Sequence, residues 1–265
     1  MVQPTVVTAY YPIPSKFPIE KYLGWMMHFW PKTNCPLIFF TDPGIVPLFQ
    51  DMLKGRKGLT QVIGLPFNEL SAFKKLCPEA WIRTRANDPE NTRHTPELYA
   101  IWYEKKEFIL RAIEKNPFGS QHFVWCDAGI CRNPGWVERL QEFPKRDMIP
   151  PQGRMLLLRI APFNETDYFP DKNGIAGNFG ERVSIGGGVL AADIKGWISW
   201  SKAYDAMLMR YYLANRFIGK DQNIIASMII ENPEIAFIID PPPTMNIIDR
   251  WFYLLFFLAA APPPC

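Results

Sequence analysis

The sequence predicts an α/β fold built on a mixed sheet whose N-terminal half is parallel and flanked by helices. Two continuous apolar runs, at residues 6–10 and 37–41, are separated by a segment with apolar residues at helical spacing. Such runs are typical of strands that are buried on both faces of a parallel sheet. The chain also carries 26 prolines among 265 residues, which interrupt it too often for a helical bundle.

The predicted elements alternate along the first half and become irregular in the second. The clearest helix begins at Thr95, a capping residue followed by Pro96, and ends before Pro117. A polar segment at 162–180 reads as a long loop. No segment has the composition of a linker, so residues 1–265 are predicted to form a single domain. The other predicted strands are 61–63, 122–126, 155–160, 183–192 and 235–239, and the other helices are 19–30, 46–53, 194–217 and 221–230.

Charge and the two ends of the chain bound the function. The 29 basic and 26 acidic residues show no long basic run, which excludes a nucleic-acid binder and suits a small anionic ligand. Residues 1–10 lack the basic start of a signal peptide. The apolar run at 251–261 is shorter than the roughly 20 residues of a spanning helix. The expected location is therefore cytoplasmic or peripheral to a membrane, with contact to a membrane surface allowed and no transmembrane span.

Asp127 and Lys105 are the strongest candidate site residues. Asp127 follows a buried strand, and ligands of open α/β sheets bind outside the carboxyl ends of the strands. Its carboxylate could hold a divalent cation against phosphate oxygens, or simply cap the next turn. Lys105 falls on the apolar stripe of the preceding helix, so it either extends to solvent or meets an anion such as a diphosphate. Lys106 is predicted to be solvated.

Two further segments are weaker candidates. Gly186, Gly187 and Gly188 would let the backbone approach a ligand closely, although a bulge or a tight strand end is the commoner cause of such a run. Asp221 and Gln222 stand at a predicted helix start. Asp221 could be only a helix cap, or the pair could orient a hydroxyl or face a reacting carbon.

Three blocks of the chain carry a family resemblance: residues 5–10 with 39–42, then Tyr99, Lys105 and residues 125–129, then residues 186–188 with Asp221 and Gln222. In this order they resemble the HtrL/YibB family of bacterial glycosyltransferase-like proteins, also called WlaTC/HtrL. The resemblance implies a GT-A-like mixed sheet with a Rossmann-like N-terminal half. It also implies a hexosyltransferase of glycan biosynthesis, with a nucleotide-sugar donor and a glycan or other hydroxyl acceptor.

The resemblance also assigns roles to residues. Asp221 and Gln222 would be catalytic, and Asp127 would hold Mn²⁺ or Mg²⁺. The chain departs from the DxD pattern of the more distant glycogenin-type enzymes, because Asp127-Ala128-Gly129 has one carboxylate and no histidine follows residue 122. This departure keeps a second hypothesis open, namely a catalytically inactive GT-A-like module that binds a glycan or a partner. The donor-binding residues would be Thr8, Tyr10, Tyr99, Lys105, Asp127, Gly129, Gly186, Gly187 and Gly188.

Overall fold

A computed structural model describes residues 2–150 and 153–261 of the chain. These residues form a seven-stranded sheet with the order β3-β2-β1-β4-β6-β5-β7. The strands are β1 (Thr5–Tyr10), β2 (Leu37–Thr41), β3 (Thr60–Gly64), β4 (His122–Cys126), β5 (Met155–Arg159), β6 (Ile185–Asp193) and β7 (Ala236–Ile239). The helices are α1 (Ile19–Phe29), α2 (Val46–Leu53), α3 (Ser71–Lys75), α4 (Pro78–Thr84), α5 (Pro96–Lys115), α6 (Ile194–Leu213), α7 (Asp221–Glu231) and α8 (Tyr253–Ala259).

Strand direction confirms the predicted mixed sheet. β1, β2, β3 and β4 all run parallel to one another. β6 runs antiparallel to both of its neighbours, β4 and β5, and β7 then pairs with β5 in parallel. The reversal at β6 places the amino end of that strand beside the carboxyl end of β4, where Cys126 pairs with Val189. The carboxyl end of β4 and the amino end of β6 therefore lie side by side at one edge of the sheet.

Alternation along β1 explains why the sheet has helices on both faces. Val7 packs into a core with residues of α5, α6 and α7, whereas Val6 packs into a second core with residues of α1, α2 and α8. Successive side chains of a strand point to opposite faces, so a continuous apolar run needs an apolar layer on each side. The sequence pattern therefore predicted the layering as well as the strands.

The predicted element bounds nearly coincide with those of the structure, with two differences. The helix predicted at 194–217 ends at Leu213. The chain turns away there because Asn215 adopts a left-handed φ of 53°, which a continuing helix cannot contain. The short helices α3, α4 and α8 are not among the predicted helices, because they are too short to show a clear periodic pattern.

Helix α5 positions the site. The Thr95 hydroxyl accepts a hydrogen bond from the Leu98 N–H at 3.4 Å, and Pro96 occupies the first turn, as predicted. The helix ends at Asn116, which has a left-handed φ of 32°. Between these ends α5 packs against β1 and β4. The middle of α5 therefore lies beside the sheet strand that leads to Asp127.

The polar segment at 162–180 contains one short 3₁₀ turn, Glu165–Tyr168. The Arg182 guanidinium pairs with the Asp167 carboxylate at 2.6 Å, and Arg216 donates to the carbonyl oxygens of Ile175 and Gly177. These contacts fasten the segment to the helical layer.

Within the described ranges, no helix is both long enough and apolar enough to cross a membrane.

Candidate functional site

A cavity of about 530 Å³ opens at the carboxyl end of β4, beside the amino end of β6. A second cavity of about 450 Å³ lies near the amino end of β1 and is lined by residues 141–148. Ligands of open α/β sheets bind at the carboxyl ends of the strands, which favours the first cavity. Its walls comprise Lys16, Trp102, Lys105, Asp127, Ile130, Arg132, Gly186, Gly187, Gly188, Asp221, Gln222, Ile247, Ile248, Trp251 and Phe252.

Lys105 lies at the centre of the polar wall. Its Nζ atom is 3.2 Å from Asp127 Oδ1 and 2.9 Å from Asp221 Oδ2, and it donates a hydrogen bond to the Gly187 carbonyl oxygen at 2.8 Å. The lysine side chain is only 6% exposed. Three elements, the loop after β4, β6 and α7, thus contribute an oxygen atom to one ammonium group.

The neighbouring Lys106 shows that the prediction of a solvated side chain is wrong. The residue is 3% exposed. Its ammonium lies 2.9 Å from the Asp205 carboxylate and 4.0 Å from the centre of the Tyr103 ring. The long α5 is covered by α3, α4 and α6 on this side, so a residue that leaves the apolar stripe still meets another helix.

Asp127 is the most accessible carboxylate of the cluster. Its Oδ1 atom accepts a hydrogen bond from the Trp125 indole N–H at 2.8 Å and also faces Lys105. The side chain remains 39% exposed. Among the described residues, none donates a hydrogen bond to the second oxygen, Oδ2. One oxygen atom is therefore held in place and the other is available to a ligand in the cavity.

Asp221 is enclosed by comparison. It is the first residue of α7, and its Oδ1 atom accepts a hydrogen bond from the Gln222 backbone N–H at 2.8 Å. Its other oxygen faces Lys105, and the side chain is 6% exposed. The Gln222 side chain also lines the cavity. The geometry thus separates an engaged carboxylate from an amide that lies in the cavity wall.

The glycines of β6 make room for this cluster. A Cβ atom at Gly187 would lie 2.8 Å from Asp221 Oδ2, and one at Gly188 would lie 2.8 Å from the Ile130 side chain. The Gly188 carbonyl oxygen accepts the Asp127 N–H at 2.8 Å, which extends the pairing of β4 and β6 beyond the strand. The glycine run therefore lets β6 pass close under the two aspartates.

Two pKa shifts describe the electrostatics of the cluster. Burial lowers the pKa of Lys105, but Asp127 and Asp221 outweigh this effect, so the pKa lies above its usual value. Desolvation of the enclosed part of the Asp127 carboxyl raises its pKa more than Lys105 and the Trp125 N–H lower it, although the side chain is partly exposed in the cavity. At neutral pH the ammonium is charged, and charge pairing at the cluster weakens first on the acid side, when Asp127 takes up a proton.

Four residues with predicted donor-binding roles lie outside the cavity wall. Thr8 is fully buried within β1. The Tyr10 ring packs against the Tyr22 and Phe49 rings at the carboxyl end of the same strand. The Tyr99 hydroxyl donates to Asp88 at 2.6 Å. A Cβ atom at Gly129 would meet the Tyr22 and Trp25 rings at 3.0 Å. Of the four, Tyr99 packs against the ring of Trp102, which lines the cavity. A donor role for the four residues stays a prediction.

Sequence reasoning missed several residues of the wall, of which Arg132 and Lys16 carry charge. Arg132 follows Asp127 in the same loop, and its position there was the one local signal that could have revealed it. Trp251 reaches the cavity from a segment more than a hundred residues later in the chain, so no local pattern could have placed it beside Asp127.

The cluster does not fit a metal ion held between its two carboxylates. The Lys105 ammonium already lies between Asp127 and Asp221, within 3.2 Å of both. Within the described part of the chain, no group of three or more His, Cys, Asp or Glu side chains is arranged to hold a metal. The oxygen left to a cation is Asp127 Oδ2, so a cation there would need phosphate oxygens and water for its remaining ligands. The predicted role of Asp127 as a metal ligand stays a prediction.

The sheet order and the cavity at its parallel half define a GT-A-type α/β fold. Mouse xyloside xylosyltransferase 1, in its apo form, shares this fold with a TM-score of 0.54 at 12% identity, over 95% of this chain and 94% of that chain. The apo form of the glycosyltransferase GlyE of Streptococcus pneumoniae TIGR4 aligns with a TM-score of 0.42 at 10% identity, over 89% of this chain and 45% of that chain.

The chain belongs to the HtrL_YibB family, whose description is "bacterial protein of unknown function" and whose family model matches residues 3–260. The family predicted from the sequence is thereby confirmed. Among curated proteins, none matches the chain.

Proposed function

We propose that the chain is a glycosyltransferase that transfers a hexose-type sugar from a nucleotide-diphosphate-sugar to a hydroxyl group of a glycan acceptor. The observation that carries the proposal is the cluster of Lys105, Asp127 and Asp221 at the base of the cavity. It lies at the carboxyl edge of the parallel half of a GT-A-type sheet, the edge at which open α/β sheets bind their ligands. The family resemblance and the fold support the same reaction class.

Asp127 and Gln222 are the groups that this proposal places against the donor. The free Oδ2 of Asp127 can accept hydrogen bonds from sugar or ribose hydroxyls. The Gln222 amide has both donor and acceptor atoms and lines the same wall. Together they would fix the orientation of the transferred sugar, which is the main contribution that a rigid site makes to group transfer.

Asp221 takes a positioning role in this scheme. Both of its oxygens are engaged, one by Lys105 and the other by the N–H of Gln222. A carboxylate held in this way fixes Lys105 and the first turn of α7, and through that turn the position of Gln222. Its predicted catalytic role stays a prediction, and its contacts favour the indirect one.

The acceptor would enter over the apolar rim of the cavity. Trp251 is partly exposed there, next to the exposed side chains of Ile247 and Ile248. An indole ring offers a flat apolar face with a polar tip, which suits the faces of a sugar ring. The same rim would also tolerate an acceptor attached to a membrane surface.

The test is turnover with a panel of nucleotide-sugars, such as UDP-glucose, UDP-galactose and GDP-mannose, measured as release of the nucleoside diphosphate. We expect slow hydrolysis of at least one donor and a loss of about tenfold or more in Asp127→Asn, because one charge-assisted contact of about 1.5–3 kcal/mol is removed. Asp51→Asn, an exposed aspartate on α2, is the matched control. Binding without turnover would favour the inactive binding module, and the absence of both would reject the proposal.

A further inference from the structure

We infer that the anionic part of the ligand is bound directly by Arg132, with no bridging metal ion, and that Lys105 makes no contact with it. The inference rests on the proposed function for the identity of the ligand, a nucleoside diphosphate. It differs from the expectation drawn from the sequence, in which Lys105 and a cation on Asp127 hold the diphosphate. Four features of the cavity lead to it.

The first feature is that one carbonyl oxygen and two carboxylates already surround the Lys105 ammonium. A lysine ammonium carries three N–H donors. Three oxygen atoms, of Asp127, Asp221 and Gly187, surround it at 3.2, 2.9 and 2.8 Å. A phosphate could reach Lys105 only by displacing one of these oxygens from a buried site. Lys105 therefore holds the two carboxylates together and leaves phosphate binding to another cation.

The second feature is that a lysine stands where a bridging metal would be expected. Asp127 and Asp221 are the carboxylates of the cavity wall, and both face the ammonium of Lys105. A metal bound between them would have to bring its positive charge within a few ångströms of that ammonium. The repulsion at such short range disfavours both cations together. The cluster thus contains its own fixed cation.

The third feature is the Arg132 guanidinium, which is exposed and lines the cavity. Its central carbon lies 4.9 Å from the centre of the Trp25 ring and 5.4 Å from that of Phe252. Within the described ranges it has no carboxylate within ion-pair distance. A guanidinium that stacks on aromatic faces keeps its N–H edge free, and that edge matches two phosphate oxygens at once. Lys16, which also lines the cavity above the Phe17 ring, adds a second positive charge.

The fourth feature is the rigidity of the loop that carries Arg132. The Trp30 indole N–H donates to the Ala128 carbonyl oxygen at 2.8 Å. The His28 ring nitrogen Nε2 donates to the Cys131 carbonyl oxygen at 2.8 Å, and the Ile130 N–H donates to the Asp127 carbonyl oxygen at 3.0 Å. These bonds fix the backbone on the near side of Arg132. A cation on a fixed backbone loses little freedom on binding, which favours a built anion site.

Calorimetry of the full chain with inorganic pyrophosphate and with UDP, in buffer containing EDTA, tests the inference. We expect both ligands to bind the wild type without metal. Arg132→Met should weaken both by about tenfold or more, because a charge-assisted bidentate contact is lost. Arg93→Met removes an equally positive, exposed side chain that does not line the cavity, and this variant should bind both ligands as the wild type does. Thermal unfolding confirms that each variant is folded.

Arg132→Lys tests whether the planar shape of the guanidinium contributes to binding beyond its charge. It also replaces Arg132→Met as the test variant if the methionine variant does not fold. It keeps the positive charge and loses the planar fork, so we expect an intermediate loss of affinity. Binding that requires Mn²⁺, or binding that is unchanged in both Arg132 variants, would overturn the inference. If pyrophosphate binds through Arg132 but no nucleotide-sugar is bound or hydrolysed, the proposed function fails and the anion site stands. If donor turnover occurs and does not depend on Arg132, the proposed function stands and the inference about the anion site fails.

Discussion

Lys105 lies on the cavity side of α5 and contacts two carboxylates and a carbonyl oxygen. Lys106 lies on the side of α5 that packs against α3 and α6, where it pairs with Asp205 near two tyrosine rings. The two lysines are adjacent in sequence and equally buried. They differ in the surroundings of their partner carboxylates. Asp127, a partner of Lys105, lines a cavity, whereas Asp205, the partner of Lys106, also pairs with a second lysine, Lys75. Both lysines are thus buried charges, and what distinguishes the candidate site is that a partner carboxylate, Asp127, lines a cavity.

The largest expected effect is that of Lys105→Met. Removing the ammonium leaves the buried Asp221 carboxylate without its cation, beside the partly exposed carboxylate of Asp127. We expect the free energy of unfolding at pH 7 to fall by roughly 3 kcal/mol, the lower end for a broken buried pair. Lys106→Met should cost less, because Lys75 stays 2.9 Å from Asp205. Urea unfolding measures both. Adding Asp221→Asn to Lys105→Met should restore part of the loss, and a cost below about 1 kcal/mol for Lys105→Met would show that the cluster is solvated.

A smaller effect concerns Glu104, the residue before the two lysines, whose carboxylate accepts hydrogen bonds from the Ser71 and Ala72 N–H groups at the start of α3. Burial raises the pKa of Glu104 to about 7, against the opposing effect of these two donors. The pKa of Glu104 is therefore higher in the folded state than in the unfolded state, where it is about 4.5. The contribution of protonated Glu104 to stability is complete below about pH 4.5 and is lost as the pH rises through 7.

The expected loss from Glu104 is on the order of 2–3 kcal/mol between these pH values. Glu104→Gln cannot titrate, so the difference in unfolding free energy between wild type and variant should change with pH in this window. Urea unfolding from pH 4.5 to 8 gives that difference. A constant difference would mean that the two N–H donors keep the pKa of Glu104 near its ordinary value.

The smallest effect is expected for Lys75→Met. Lys75 and Asp205 are both partly exposed, and Lys106 still pairs with Asp205 in the variant. The unfolding free energy should fall by less than about 1 kcal/mol, the usual range of an accessible ion pair. A double-mutant cycle with Lys106→Met would measure the coupling energy between Lys75 and Lys106. A strong coupling would show that the two lysines stabilise the Asp205 carboxylate jointly rather than independently.

The parts of the molecule that the sequence predicted well are those set by local patterns. Strand bounds, the capped start of α5 and the position of Lys105 on an apolar stripe are all visible within a few residues. Lys106 was misjudged because its burial comes from α6, whose Tyr204 and Asp205 lie about a hundred residues away. The partner of Tyr99 could not be inferred either, because Asp88 lies in an irregular segment that returns to the helix only in three dimensions.

The arrangement around Lys105 also limits which residue can stand at that position. Its three oxygens surround one compact ammonium from three different elements. An arginine would keep the positive charge, but its donors are spread over a flat, wider fork that cannot be enclosed in the same space. An exchange that is conservative on an open surface is therefore disruptive here. During divergence of related sequences, we expect position 105 to change together with its two aspartates rather than alone.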